Sequence, residues 1–355
     1  CSLVGSEMCI RDSCDLYWKD VKKIVQNIPD IMQLSHKSIC ITGANGMICS
    51  AIADIILWLN CNKNAGIHLI LAGRSNEKIK KRFLGFEKFY TFAFYDATKS
   101  NSICFQADYI IHGACNANPA KYVKEPVETM LANFMGLDCL LKSAVKNKAN
   151  RVVYISSSEV YGSKLNDQPY QESDYGYVDL LNPRSCYPSS KRASETLCSA
   201  YASEYGLDTV VVRPGHVYGP TITDTDDRAS AQFTRCAVEG KDIVMKSAGT
   251  QLRSYCYVLD CASAILTVLL SGESGQAYNI SNPNSIISIA QLAKAFAATV
   301  GKNVLFEQAN AEEQKGYNKM MNSSLDSTKL EALGWKALFS LQEGTSKTIQ
   351  ILKAC

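Results

Sequence analysis

The chain has 355 residues, 46% of them hydrophobic and 20% charged, with a formal net charge of +3. That is enough apolar residue for a sizeable core, in one large domain or two unequal ones. So small a charge excess, with no long basic run, gives no footprint for nucleic acid or a membrane surface, and neither is expected as a partner.

In chain order, the opening CSLVGSEMCIRDS lacks the apolar centre of a signal peptide. Residues 1–13 resemble translated sequencing-adapter sequence and are read as non-native, within an N-terminal extension spanning 1–36. From Ser38, short β-branched runs alternate with longer amphipathic ones. Strands are predicted over 38–42, 67–73, 89–95, 107–113, 151–157 and 208–214. Helices are predicted over 51–59, from the second strand to Lys81, over 126–146 and over 190–205. This alternation predicts an α/β fold, a doubly wound parallel sheet with helices on both faces, because parallel neighbours need crossover connections. After Pro214 the chain is rich in Gly, Thr and Asp. It reads as loop plus one helix (228–240), then helices over 258–271 and 288–299 and a strand over 276–281. Residues 37–214 are therefore taken as one α/β domain. Residues 215–355 are taken mainly as a smaller cap, interleaved with the sheet and closing over its C-terminal edge. No apolar run approaches the roughly 20 residues that span a bilayer.

Fifteen cysteines invite a metal or disulfide reading, but no pair forms C-x-x-C, and Cys40, Cys139 and Cys198 lie inside apolar runs. A thiol there acts as a small hydrophobe. Reduced cysteines, no metal site and a cytoplasmic location are expected.

Two local patterns carry chemistry. The first strand runs into Thr42-Gly43-Ala44-Asn45-Gly46-Met47-Ile48-Cys49 and then a helix. Gly43 permits the tight turn, Gly46 lets backbone approach a pyrophosphate, and the helix start offers oriented N–H groups. Tyr187 and Lys191 stand four apart, which on a helix puts them on one face. A neighbouring ammonium lowers a phenol pKa, making Tyr187 a candidate general base. A second copy, Tyr95 to Lys99, leaves a strand into a loop and is read as accidental. Ser157 and Glu159 end the fifth strand at the sheet edge where open α/β sheets bind ligands, and extended backbone would put them on one face.

On the phosphate loop and the Tyr-x-x-x-Lys pair the chain resembles the extended short-chain dehydrogenase/reductase family, whose loop is G-x-x-G-x-x-G. Here Cys49 replaces the third glycine. The resemblance covers about residues 37–350 and implies a Rossmann-like fold with NAD as cofactor. Arg74, where an acid would bond the ribose, leaves NADP open. It implies Gly43, Asn45, Gly46, Met47 and Ile48 on the pyrophosphate side and Asp96 with Ala97 beside the adenine. Ala114 and Pro214 lie along the cofactor, and Tyr187 and Lys191 stand at its reactive end. Ser157 would bond the sugar hydroxyl being oxidised.

Ser157-Ser158-Glu159 resembles the Thr-Ser-Glu of UDP-glucuronate decarboxylases and GDP-mannose dehydratases. Pro183-Arg184-Ser185-Cys186-Tyr187 resembles the decarboxylase form of that segment. Arg253 opens the family's Arg-aromatic-Val-x-Asp element, whose Arg meets the diphosphate or the reacting sugar. Leu333-Gly334-Trp335 is read as packing. His216 stands where decarboxylases have a substrate-binding Asn. With Ser158 and Arg253 it is taken as substrate-binding, and Glu159 as a proton-transfer group. The implied activity is transient oxidation at sugar C4 of a nucleotide sugar, UDP-linked, followed by decarboxylation or dehydration. A 4-epimerase, an NADPH-dependent 4-keto-sugar reductase and a non-catalytic dinucleotide sensor remain as alternatives. Relatives of this type dimerise through the helices here placed at 126–146 and 190–205, so a homodimer is expected.

Overall fold

The computed structural model describes residues 15–99, 103, 105–115, 117–309 and 320–354; the adapter-like residues 1–13 lie outside the described residues. The first half runs α1 (Asp15–Val25), β1 (Ser38–Thr42), α2 (Met47–Lys63), β2 (His68–Gly73), α3 (Asn76–Arg82), β3 (Tyr90–Phe94), β4 (Tyr109–His112), α4 (Pro119–Lys124), α5 (Pro126–Lys146), β5 (Arg151–Ile155), α6 (Cys186–Tyr205) and β6 (Thr209–Pro214). The second runs β7 (His216–Tyr218), α7 (Ala229–Val238), β8 (Ile243–Met245), β9 (Leu252–Tyr257), α8 (Val258–Ser271), β10 (Ala277–Ile280), β11 (Ile286–Ser288), α9 (Ile289–Thr299), β12 (Val304–Phe306), β13 (Asn322–Ser323), α10 (Thr328–Glu331) and α11 (Leu341–Ala354).

The central sheet has seven strands in the order β10-β6-β5-β4-β1-β2-β3, with every pairing parallel. Side chains alternate along each strand between two cores. Ile39, Ile41, Leu69, Leu71, Val153 and Val212 share one cluster with α2 and α8. Cys40, Ile70, Ala72, Ile110, Val152 and Val211 share the other with α5 and α6. The chain leaves β1 towards β2 and β3, then returns to β4 on the other side. That reversal opens a crevice at the carboxyl ends of β1 and β4, the place where such sheets take ligands. Beyond the central sheet are a small sheet, β11-β9-β13 with β7 beside β9, and the pair β12-β8.

Several boundaries differ from the sequence reading, each for a local reason. The strand predicted over 151–157 stops at Ile155, and Ser158–Tyr161 form a 3-10 turn capped by the Ser157 hydroxyl. The helix predicted from 190 begins at Cys186, so Tyr187 lies in its first turn. The cap strands β7, β8, β11, β12 and β13 are two or three residues long, too short to show alternation. Neither α1 nor α11 was anticipated. Helix α1 is anchored by long-range bonds, Tyr17 to buried Asp54 (2.7 Å) and Lys347 of α11 to Asp20 (2.6 Å). Trp335 donates to Ser263 (2.9 Å), in keeping with a packing role for its segment. Asp260 receives the N–H groups of Leu338 and Phe339, and burial pushes its carboxyl up to about 7.

Behind β5, the buried Arg213 forks onto Glu195 (2.6 Å) and also reaches the Tyr161 hydroxyl (2.9 Å) and the Glu172 carbonyl (2.8 Å). Ser156 donates to the same Glu195. The network ties α6 to the end of β5. Glu195→Ala leaves a buried guanidinium uncompensated and is expected to lower unfolding free energy by about 3–5 kcal/mol. Urea denaturation checks this; a loss below about 1 kcal/mol would show the pair to be dispensable.

Candidate active site

The turn after β1 is built for close backbone approach. Gly46 donates to the Gly43 carbonyl (2.8 Å), and Gly43 sits at φ +68°. A Cβ on Gly43 would lie 2.9 Å from Ala114 Cα, so glycine is required twice over, by conformation and by space. Gly46 caps α2 without a side-chain bond, which leaves the helix start open to an anion. Cys49, in place of the third glycine, is accommodated from the opposite side: its Sγ lies 2.3 Å from where a Cβ on Gly113 would be. Gly113, just past β4, leaves the room that the Cys49 thiol takes. The cradle therefore fits a dinucleotide pyrophosphate, with Asn45, Met47 and Ile48 at its edge. Along the rim, Arg74 faces Asp96, whose carboxylate accepts from Thr98 N (3.1 Å) and Oγ1 (2.8 Å). Ala97 is buried against Gly136 of α5, and Pro214 ends β6 beside β10.

Ser157, Tyr187 and Lys191 converge. The Ser157 hydroxyl accepts from the Glu159 N–H (3.2 Å) and lies close enough to the Tyr187 phenol to favour its ionised form. Lys191, 1% exposed, donates to the Ile155 carbonyl (2.8 Å), and its ammonium lies 5.8 Å from the Tyr187 ring centroid. Tyr187 is 6% exposed and stacks on Tyr122 of α4 at 4.4 Å and 14°. Burial pushes its phenol up to about 12, against the pull of Lys191 and Ser157. This corrects the expectation drawn from Lys191 alone: in the protein by itself, desolvation outweighs one ammonium. The second Tyr-x-x-x-Lys copy stays apart, with buried Tyr95 donating to the Gly136 carbonyl (2.9 Å).

Glu159 comes off the 3-10 turn rather than an extended strand, a correction to the face argument. Its two oxygens take the guanidinium of Arg184 at 2.7 and 3.0 Å. Ser158 is buried beneath it. Arg253 on β9, 2% exposed, makes one side-chain hydrogen bond, to the Leu252 carbonyl (2.8 Å), and no ion pair among the described residues; Glu159 and Tyr255 lie within its field. His216 on β7 packs against Tyr255, with Nδ1 buried and unpartnered. Burial, then the Arg253 and Arg228 charges, push its imidazole down to about 3, so it is neutral at physiological pH. Arg228 pairs with Asp226 (2.9 Å from Nε), touches Met47 Sδ, and its charge reaches Tyr122 and Tyr187.

Tyr122, Arg184 and Arg228 were not singled out for roles by the sequence reading. Arg184 carried a signal, its place in the Pro-Arg-Ser-Cys-Tyr run. Tyr122 and Arg228 carried none, since each reaches the cleft from an element with no recognisable motif.

The model of the NAD dependent epimerase/dehydratase family matches residues 39–281. The chain belongs to that family. UDP-glucuronic acid decarboxylase 6 of Arabidopsis thaliana is 30% identical over 310 residues, 87% of either chain. UDP-glucuronic acid decarboxylase 1 of Xenopus tropicalis is 28% identical over 337 residues, 94% of this chain and 76% of its own. Among solved structures, a dTDP-glucose 4,6-dehydratase from Streptomyces venezuelae with NAD bound superposes with a TM-score of 0.75 at 22% identity, covering 88% of this chain and 96% of the other. At that identity the likeness shows the fold. Family membership makes this a nucleotide-sugar enzyme of the NAD-dependent type.

Gly43→Ala forces a side chain into left-handed backbone against Ala114. It is expected to weaken NAD binding by about tenfold without unfolding the protein. Calorimetric titration with NAD checks this; unchanged affinity would remove the turn from the cofactor site.

Proposed function

We propose that this enzyme decarboxylates a UDP-linked hexuronic acid by oxidising sugar C4 transiently, with NAD held in the cleft. The observation that carries the reading is Arg253, a buried guanidinium with no carboxylate partner among the described residues, near enough to Glu159 to feel its charge. An uncompensated buried cation is costly, and its planar fork suits a carboxylate or diphosphate. The identity with UDP-glucuronic acid decarboxylases supports the same substrate class.

In this reading residues 37–214 hold the dinucleotide, and 215–355 mainly supply the substrate side. Gly43, Asn45, Gly46, Met47 and Ile48 cradle the pyrophosphate. Arg74, Asp96, Ala97, Ala114 and Pro214 line the rest of the cofactor. NAD held by these residues would supply the hydride acceptor for C4. Ser157 holds the C4 hydroxyl, Tyr187 takes its proton, and Lys191 stabilises the phenolate and bonds the ribose. Once C4 is a ketone, the C6 carboxylate is β to it. The C5–C6 bond then breaks, its electron pair moves towards the C4 oxygen, and carbon dioxide leaves. Ser157 and Tyr187 hydrogen-bond that oxygen as charge develops on it. A solvent proton then adds at C5, and return of the hydride to C4 completes a redox-neutral cycle. Neutral His216, with Ser158 and Arg253, binds the substrate.

The assembly we propose is a homodimer. Val127 (61% exposed), Met130, Leu131, Phe134 and Met135 form an apolar stripe at helical spacing on α5, and Tyr205 of α6 is exposed as well. A second copy covering α5 and α6 would bury it by two-fold symmetry. The free cysteines suit the reducing cytoplasm.

Purified enzyme given UDP-glucuronate without added cofactor is expected to release carbon dioxide and form a UDP-linked pentose. Tyr187→Phe should lose about a hundred- to ten-thousandfold in turnover while keeping its NAD. Near-normal turnover in that variant, or net consumption of added NADPH by the wild type, would contradict the mechanism.

A further inference from the structure

We infer that Arg184 is a specificity-determining residue: by neutralising Glu159 it allows a sugar that carries its own carboxylate into the pocket. This deepens the decarboxylase reading and rests on it for the identity of the substrate.

Glu159 sits on the turn directly after Ser157, so its carboxylate borders the space where the sugar meets Ser157 and Tyr187. A bare carboxylate there would repel an incoming one in a pocket largely shielded from water. Arg184 removes that repulsion in a fixed geometry. Its two terminal nitrogens bind the two Glu159 oxygens at 2.7 and 3.0 Å, and the partners are only 15% and 18% exposed. Such a fork-to-fork pair is specific to Arg.

The guanidinium has nowhere else to go. It lies over the Tyr122 ring, 5.1 Å from the centroid, and Tyr122 also stacks on Tyr187. Its Nε is buried without another partner. The backbone is fixed as well, since Pro183–Ser185 form a 3-10 turn and Asn182 accepts from the Arg184 N–H (3.0 Å). Arg184 is therefore committed to Glu159, while Arg253, without a carboxylate partner among the described residues, is left to meet the substrate anion. A neutral sugar with a hydroxymethyl group at C5 does not sense the charge on Glu159 in this way, so the effect discriminates between substrates.

Binding, rather than turnover, tests this. Calorimetric titrations of the NAD-loaded enzyme with UDP-glucuronate and with UDP-glucose are compared for wild type, Arg184→Gln, Arg184→Lys and Arg184→Gln combined with Glu159→Gln. Arg184→Gln is expected to weaken UDP-glucuronate roughly tenfold or more while leaving UDP-glucose within about threefold. Removing the Glu159 charge in that background should restore UDP-glucuronate. Arg184→Lys, which keeps the charge, should retain most of the affinity. Equal weakening of both ligands, no weakening of either, or failure of the double variant to recover would overturn the inference. So would a wild type with no affinity for UDP-glucuronate. If the wild type binds UDP-glucuronate but releases no carbon dioxide, the decarboxylase reading fails alone, and the binding differences still decide the role of Arg184.

Discussion

The site depends on one buried charge. The Lys191 ammonium is almost wholly removed from water, and its hydrogen bond goes to the carbonyl of Ile155, the last residue of β5. A cation in that position is costly without a fixed partner, so the bond locks the first turns of α6 against the end of the strand. One turn earlier on the same helix face stands Tyr187, and two residues beyond Ile155 stands Ser157. The contact that anchors Lys191 thus fixes the phenol and the hydroxyl relative to each other. The Arg213–Glu195 network behind the strand holds α6 and Ser156 in the same relation from below.

Around this anchor the cleft is cationic. Lys191 and Arg253 have no carboxylate partner among the described residues, Arg228 is matched by Asp226, and Arg184 by Glu159. His216 adds hydrogen bonding without charge. Such a field favours a ligand with several negative charges, as a nucleoside diphosphate sugar acid has. It also explains why the phenol can be so high in the protein alone and still serve as a base. Burial raises it, and each positive group brought near stabilises the phenolate.

Much of the fold was legible because it is written in period and order. Ile39 and Ile41 against Cys40, or Val153 against Val152, show the alternation that puts one strand between two cores. The strand–glycine–helix run at 38–49 and the four-residue step from Tyr187 to Lys191 carry their geometry in their spacing. Other features depend on tertiary contact and leave no local trace. The fit of the Cys49 thiol against Gly113 joins positions far apart in the chain. The stack of Arg184, Tyr122 and Tyr187 joins two helices and a turn. Glu159 was assigned the right neighbourhood for the wrong reason, because the backbone turns at Ser158 and alternation no longer applies. The short strands after β6 pair through tertiary position, not by pattern.

The central claim is that C4 gives up its hydride and receives the same one back within a single binding event. UDP-glucuronate carrying deuterium at C4, turned over by enzyme with unlabelled bound cofactor, measures this directly. The account requires the UDP-linked pentose to retain deuterium at C4 and to take its new C5 hydrogen from solvent. Loss of the C4 label to solvent or to a free cofactor pool would contradict it.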